Sequence, residues 1–220
     1  MPGEVLVGAI ERELDARVLF VDAPPNVSGA AVHLSGLHTI LVNRREPFGR
    51  RNFDIAHELF HLLTWDAMTP GRVEPREAPR GKGSRVERLA ENFAGALLMP
   101  ADVVERSWRD REGADLVQWL ATVSDTLRVT AVALKWRMVV LGHLPKAQAQ
   151  ELDDRRLAGD GRGSETAPPL PFDRELIARI HGAVEEGHLS PRRAVDILGM
   201  TARAFGDLCA AYGLTLSYEV

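Results

Sequence analysis

The chain has 220 residues, of which 45% are hydrophobic and 26% are charged, and its formal net charge at pH 7 is −4. This composition is ordinary for a globular protein and leaves room for one sizeable domain plus a smaller second one. So small a net charge excludes a global field that would attract nucleic acid or an anionic membrane. The single cysteine, Cys209, excludes a disulfide within the chain and favours a reducing compartment. Residues 1–20 have neither a basic start nor a long apolar core, so we expect a cytoplasmic protein with no signal peptide and no membrane association.

The first part of the sequence predicts a helix followed by three strands. Apolar side chains recur at helical spacing over residues 4–16. Apolar runs then predict strands over 18–22, 30–34 and 39–43, and the turn signal Ser35-Gly36 separates the last two. The strand 39–43 comes just before the next predicted helix. Two positions are open for it: a sheet edge that receives an extended substrate, and an ordinary interior place.

The run His57-Glu58-Leu59-Phe60-His61 is the strongest chemical signal in the chain. It lies in a predicted helix that is otherwise apolar on almost every face, with no Gly or Pro between residues 51 and 69. Residues i and i+4 share one face of a helix, so both imidazoles can reach one tetrahedral metal ion. The glutamate between them projects into the open side of such a site. The pattern predicts a zinc site in which Glu58 is the general base, and a chance match at the surface is the alternative.

A catalytic zinc ion takes three protein ligands, so a third ligand must come from elsewhere in the chain. The next predicted helix, over about 84–99, supplies Glu87 and Glu91, which lie one turn apart beside its apolar stripe. Glu87 also completes a capping box with Ser84, and Glu91 equally suits a solvated helix position. Spacing alone does not choose between the two glutamates. The Pro- and Gly-rich segment 66–83 offers three further acids: Asp66, Glu74 and Glu77.

The rest of the sequence predicts helices and a linker. A short helix is expected from Pro100 through Trp108, and two more over about 114–126 and 130–141. Residues 145–171 are polar and contain four prolines, which predicts a linker. Residues 172–220 predict three helices, whose first and last positions are marked by capping residues: Asp173, Ser190 and Thr201 at the starts, and Gly187, Gly199 and Gly213 at the ends.

The last two of these helices, joined at Gly199-Met200-Thr201, look like a helix-turn-helix. Residues 173–220 hold five Arg, no Lys and seven acidic residues, a balance of −2. A DNA-binding unit normally neutralises several phosphates. The charge balance therefore favours a protein contact for this unit, and DNA binding is the less favoured alternative.

Three segments of the chain resemble the ImmA/IrrE family of metallopeptidases. The run from Arg51 to His61 is similar to the family pattern R-x-F-x-x-A-H-E-x-x-H. Residues 87–100 are similar to its E-x-x-A-N-x-F-A and L-L-M-P patterns, with one departure: Glu91 stands where the family usually has Asn. Residues 127–142 are similar to a family helix with the pattern V-S-x-x-A-L-x-x-R-L. The resemblance covers about residues 1–144.

The resemblance implies both a fold and an activity. We expect the α+β class: a small sheet of about three strands packed on a helical, zincin-like metallopeptidase core over 1–144, then the linker 145–171 and an all-α unit over 172–220. The family roles fall on four residues of this chain, with Zn²⁺ bound by His57, His61 and Glu87 and with Glu58 as the catalytic residue. The expected partner is a protein substrate, a helix-turn-helix repressor of a bacterial stress-response, mobile-element or toxin–antitoxin circuit.

Two questions stay open at this level. The oxyanion of a peptidase reaction needs an electrophilic partner, and Arg51, His33 and His38 are eligible by chemistry alone. The alternative to a peptidase is a non-catalytic, zinc-containing regulatory or interaction protein of a toxin–antitoxin or phage immunity pair. Such a structural site has no use for Glu58, so the intact glutamate favours the enzyme.

Overall fold

The computed structural model of the protein describes residues 2–24, 26–68, 85–111, 113–157, 159, 161 and 167–217. Within these ranges the chain forms ten α-helices, one short 3-10 helix and a three-stranded mixed sheet. This mainly helical arrangement is consistent with the expected α+β class. No helix in these ranges is both long enough and apolar enough to cross a membrane.

The sheet follows the first helix, α1 (Pro2–Glu13), and contains β1 (Ala16–Val21), β2 (Gly29–Leu34) and β3 (Leu37–Asn43). The strand order is β1-β3-β2, with β1 parallel and β2 antiparallel to β3. A tight turn joins β2 to β3. Gly36 has a φ of 75° in this turn, a conformation that glycine adopts without steric cost.

The central position of β3 decides between the two positions, edge and interior, that the sequence left open for residues 39–43. β3 pairs with a strand on each side, and Ile40 and Val42 are fully buried, so this strand offers no open edge. The interior position is the one observed. The reason is that β1 pairs with β3 rather than with β2, which leaves β2 as an outer strand.

Two helices pack together beside the sheet: α2 (Phe48–Leu63) and α3 (Arg85–Leu98). α2 begins at Phe48, three residues before the segment that contains neither Gly nor Pro. The buried Gly49 therefore belongs to its first turn, directly after Pro47. α2 also packs against β2, β3 and α1, and it contributes Ile55, Ala56 and Leu59 to the main core. The most buried helix of the chain is therefore the one that carries the His-Glu motif.

The next three helices complete this core: α4 (Ala101–Arg109), α5 (Leu116–Leu127) and α6 (Ala131–Val140). The side chains of Asp115 and Thr130 cap α5 and α6 by accepting backbone hydrogen bonds. The core side chains of these helices include four that are almost fully buried: Val104, Leu120, Leu134 and Met138.

Part of the predicted linker 145–171 is folded against this core. It contains α7 (Lys146–Glu151), whose Ala149 is fully buried, and a 3-10 helix (Asp154–Arg156). The side chain of Lys135, only 2% exposed, forms an ion pair with Asp154 and donates to the Leu152 carbonyl over 3.3 Å. The segment as a whole is polar, so its composition did not reveal the few apolar side chains that pack here.

The chain ends in three helices: α8 (Arg174–Glu185), α9 (Pro191–Leu198) and α10 (Ala202–Ala211). Their N-caps are the three predicted residues, each of which accepts a backbone hydrogen bond: Asp173, Ser190 and Thr201. A separate hydrophobic cluster joins them, with Ile177, Phe205 and Cys209 fully buried. The division of the chain into 1–144, 145–171 and 172–220 stays a prediction.

Candidate metal centre

Three side chains converge at the interface of α2 and α3. The Nε2 atom of His57 lies 3.1 Å from Nε2 of His61 and 3.1 Å from Oε2 of Glu87. The other carboxylate oxygen of Glu87 lies 3.6 Å from Nε2 of His61. The three residues form the one cluster of metal-ligating side chains found among the described residues, with donor atoms within 4.8 Å of one another. Two imidazoles and one carboxylate are a donor set that suits zinc.

The packing of α3 on α2 selects one of the two candidate glutamates. Glu87 faces the histidines, whereas Glu91 is exposed and lies one turn farther along α3, outside the cluster. Asp66 is also exposed and outside it. Two other candidate ligands, Glu74 and Glu77, lie outside the described residues. So does Ser84, the alternative partner of Glu87 in a capping box.

Burial keeps the histidines suited to metal binding. Desolvation, together with the nearby His61, lowers the pKa of His57, which favours the neutral imidazole that a metal requires. His61 is only 4% exposed, and its Nδ1 has no hydrogen-bond partner among the described residues. The Nε2 atoms of both rings lie close to the Glu87 carboxylate, so the ring nitrogens that can bind a metal are the ones that meet.

Glu58 occupies a largely buried position next to these ligands. The pKa of Glu58 is raised to about 7, chiefly because burial disfavours the charged form; a backbone hydrogen bond from Ala31 opposes this rise, and the charges of Asp54 and Glu87 add to it. The N–H of Ala31, in the outer strand β2, therefore holds this carboxylate. This carboxyl therefore lies where β2 approaches the helix that carries the His57–His61 pair.

The close approach of β2 to α2 was not predicted from the sequence. A Cβ atom at Gly29 would lie 3.2 Å from Cγ of Glu58 and 3.1 Å from the Leu41 carbonyl oxygen, so only glycine fits there without displacing a neighbour. The one available signal was a glycine beside a predicted strand, which often marks a close backbone approach. Gly29 and Ala31 therefore belong to the surroundings of the site, although neither carries a reactive group.

The three candidate oxyanion partners are not brought into the cluster. Arg51 is buried, and its Nη1 donates to the carbonyl of Glu46 over 2.7 Å, which holds the chain that leads into α2. His33 and His38 form a cross-strand pair with their Nδ1 atoms 3.0 Å apart, and His33 stacks on Trp65 with ring centroids 5.3 Å apart. These contacts of the three residues are with the sheet and with the loops before and after α2.

The comparison with known families agrees with this geometry. The Peptidase M78 family model, described as an IrrE N-terminal-like domain, matches residues 12–138, more than half of the chain. No curated protein and no solved structure gives a significant match. The matched region contains α2, α3, the outer strand β2 and every residue of the cluster. The chain therefore belongs to the ImmA/IrrE family of M78 metallopeptidases.

Proposed function

We propose that this protein is a zinc-dependent endopeptidase whose zinc ligands are His57, His61 and Glu87 and whose general base is Glu58. The observation that carries the proposal is the convergence of the three donor side chains, two imidazoles and one carboxylate, beside a second, largely buried carboxyl, that of Glu58. Membership of a metallopeptidase family supports the same reaction class.

The roles of the residues follow from their positions. Zinc, when bound, supplies Lewis acidity: it lowers the pKa of a coordinated water towards about 7 and polarises a peptide carbonyl. Glu58 lies beside the ligands without joining them, so it can take the proton of the attacking water and pass it to the leaving amine. The hydrogen bond from Ala31 supports this role, because it favours the ionised carboxylate that a general base requires.

The outer strand β2 is the proposed docking edge for the substrate backbone. Its only partner in the described sheet is β3, and its Ala31 contacts the catalytic carboxylate. An extended peptide that adds to a sheet edge gains main-chain hydrogen bonds. A peptide bound at this edge would have its scissile bond next to Glu58. The sequence left open such an edge at residues 39–43, but those residues form the central strand β3.

The proposed substrate is a transcriptional regulator of the helix-turn-helix type, in a bacterial stress-response, mobile-element or toxin–antitoxin circuit. The support for this finer assignment is the resemblance of three motifs to the ImmA/IrrE family. The competing function is a non-catalytic zinc protein that binds such a regulator without cleaving it. The buried Glu58 favours the peptidase, because a purely structural site does not require it.

The ligand assignment predicts the metal content of single variants. The purified protein should hold one zinc ion per chain, and His57→Ala should lose it, because a two-ligand site binds zinc weakly. Glu91→Ala is the matched control: this glutamate lies on the same helix as Glu87, outside the cluster, and should leave the zinc content unchanged. Elemental analysis of the dialysed proteins measures both, and full occupancy in His57→Ala would refute the assignment.

The catalytic assignment predicts a separation of binding from turnover. Glu58→Gln is nearly isosteric, so the variant should keep its fold and zinc yet cleave the regulator encoded nearest to its gene at least about 100-fold more slowly. Cleavage is followed by mass spectrometry of the products, with circular dichroism as the control for folding. Cleavage at the wild-type rate would exclude Glu58 as the base. Binding of the regulator without cleavage by the wild-type protein would favour the non-catalytic function.

A further inference from the structure

A groove of about 530 Å³ is lined by residues of α2, α3 and α6, and the metal-site residues themselves do not line it. Phe53 lies one helical turn before His57 on α2, and Glu91 lies one turn after Glu87 on α3. A separation of four residues corresponds to about 6 Å along a helix axis. Because both walls continue helix faces that carry the metal-ligating residues, the groove begins next to the site of the proposed cleavage.

The floor of this groove is apolar and open to solvent. Val132, Trp136 and Val140 are spaced four residues apart on α6, so they form one stripe along its surface. Trp136 is 38% exposed and Val140 is 61% exposed. Phe53 adds an aromatic ring from α2. An exposed apolar stripe of this kind, inside a groove of ligand-binding size, is typical of a site that buries a partner's side chain.

The rim of the groove carries more positive than negative charge. Three basic side chains line it (Arg50, Arg137 and Lys146), against the single carboxylate of Glu91. Arg50 is already paired with Asp54 over 3.1 Å, and Nε of Arg137 donates to the Met99 carbonyl over 3.0 Å. Lys146 is exposed and forms no ion pair with any described residue. Its ammonium group, at the end of the groove next to the α6 stripe, is therefore available for an acidic ligand group.

We propose that this groove is a specificity subsite that binds a substrate segment in which an apolar side chain stands next to an acidic one. The apolar side chain packs on Phe53, Trp136 and Val140, and the carboxylate pairs with Lys146. An extended peptide advances about 3.3 Å per residue, so a distance of about 6 Å places the apolar residue about two positions from the scissile bond. This assignment deepens the proposed peptidase function and rests on it.

The test measures peptide binding to the zinc-loaded Glu58→Gln protein, which does not turn the probe over. Three fluorescein-labelled peptides of Gly and Ser differ only in a central block: Phe-Leu-Asp-Glu, Phe-Leu-Lys-Arg or Ser-Ser-Asp-Glu. Fluorescence anisotropy should show that the first binds at least about tenfold more tightly than the other two, a difference of about 1.4 kcal/mol. Equal affinity for all three peptides would overturn the proposal.

Two substitutions locate the binding. Adding Val140→Asp should weaken binding of the apolar–acidic peptide at least about tenfold, and adding Lys146→Glu should reverse the preference between the acidic and the basic peptide. Ile197→Asp is the matched control, since Ile197 is 55% exposed on α9 and does not line the groove. Unchanged binding in both groove variants, or an equal loss in the control, would overturn the proposal.

The wild-type protein separates the subsite from the reaction. If it cleaves the apolar–acidic peptide and the groove variants cleave it equally fast, the peptidase function stands and the subsite is wrong. If the peptide binds with the expected sensitivity to Val140→Asp but is never cleaved, the groove stands as a peptide site and the peptidase function is wrong. The third outcome is slower cleavage in the groove variants, with the bond cut about two residues from the apolar side chain. This outcome supports both the subsite and the peptidase function.

Discussion

Two carboxyl groups lie one turn apart on α2: Asp54 is buried and Glu58 is largely buried, and burial raises the pKa of each. The pKa of Asp54 rises to about 6, the Glu46 charge adds to the rise, and the pairing with Arg50 opposes it. One oxygen of Asp54, Oδ2, has no hydrogen-bond partner among the described residues. Glu58 has the raised pKa already described, to which Asp54 itself contributes. An ionised Asp54 is therefore a cost to the folded state.

The raised pKa of Asp54 predicts that Asp54→Asn stabilises the protein at neutral pH. Because the folded state holds the Asp54 proton more tightly than the unfolded chain, wild-type stability falls as the pH rises from about 4 to about 6 and then stays reduced. A shift of about two pKa units corresponds to about 3 kcal/mol, so the variant should gain up to about this amount near pH 8 and almost nothing near pH 4. Urea unfolding of the metal-free proteins across this pH range measures the difference. A variant that is less stable than wild type at pH 8 would show that the Arg50 pairing outweighs the desolvation of Asp54.

At the scale of elements, the connection after α7 is held by hydrogen bonds to the end of α5 and the start of α6. The N–H of Ala131 donates to the Gly159 carbonyl over 2.8 Å, and the N–H of Gly161 donates to Oδ1 of Asp125 over 3.1 Å. Gly161 has a φ of 68°, and a Cβ atom there would lie 2.7 Å from the Val129 carbonyl oxygen. The chain can follow this path only because residue 161 has no side chain.

This contact predicts that Gly161→Ala is more damaging than an equivalent change in open space. Gly142 is the matched control, since its φ is 77° and no atom lies within 4 Å of the position of its Cβ. Gly142→Ala should cost about 1 kcal/mol for the left-handed conformation alone, whereas Gly161→Ala adds a steric clash and should cost about 2–3 kcal/mol. Urea unfolding of both variants measures the two free energies. Equal losses would mean that the 159–161 contact does not stabilise the fold.

At the scale of the whole molecule, the metal centre and the segment after it are supported by different parts of the chain. Every proposed ligand lies before residue 144, so the metal site needs nothing from the segment 145–161. The buried ammonium group of Lys135, in contrast, finds its partners in that segment, at Leu152 and Asp154. Removing one partner of a buried pair is strongly destabilising, because an uncompensated charge remains.

This arrangement predicts different stabilities for two fragments that should bind zinc alike. Fragment 1–161 keeps the Lys135 pairing, whereas fragment 1–144 lacks both partners and should be less stable by about 3 kcal/mol. Introducing Lys135→Met in both fragments removes the charge and should reduce the difference in stability between them. Thermal unfolding and zinc analysis of the four proteins provide the measurements. If fragment 1–144 unfolds at the same temperature as 1–161, or loses its zinc, this account of the 145–161 segment is wrong.

Much of the fold and of the candidate site follows from short-range patterns. The three predicted strands, the motif helix and the predicted N-caps, among them Asp173 and Ser190, are all found in the structure with ends shifted by a few residues. The spacing of His57 and His61 brings both rings to one face whatever surrounds the helix. These features depend on hydrogen bonds and side-chain contacts within about one turn or one strand, and such contacts are readable along the chain.

The remaining features depend on contacts between distant residues, and only the folded chain decides them. The packing of α3 on α2 brings Glu87 rather than Glu91 to the histidines, although both lie on similar faces of one helix. The parallel pairing of β1 with β3 places β2 beside Glu58 and gives residues 39–43 the interior one of the two positions that the sequence left open. A few apolar side chains and Lys135 draw the polar segment after α6 onto the core. Residue type and spacing determine which chemistry the chain can perform, but strand order and helix packing determine which groups meet, because these arise from burial summed over the whole molecule rather than from any one segment.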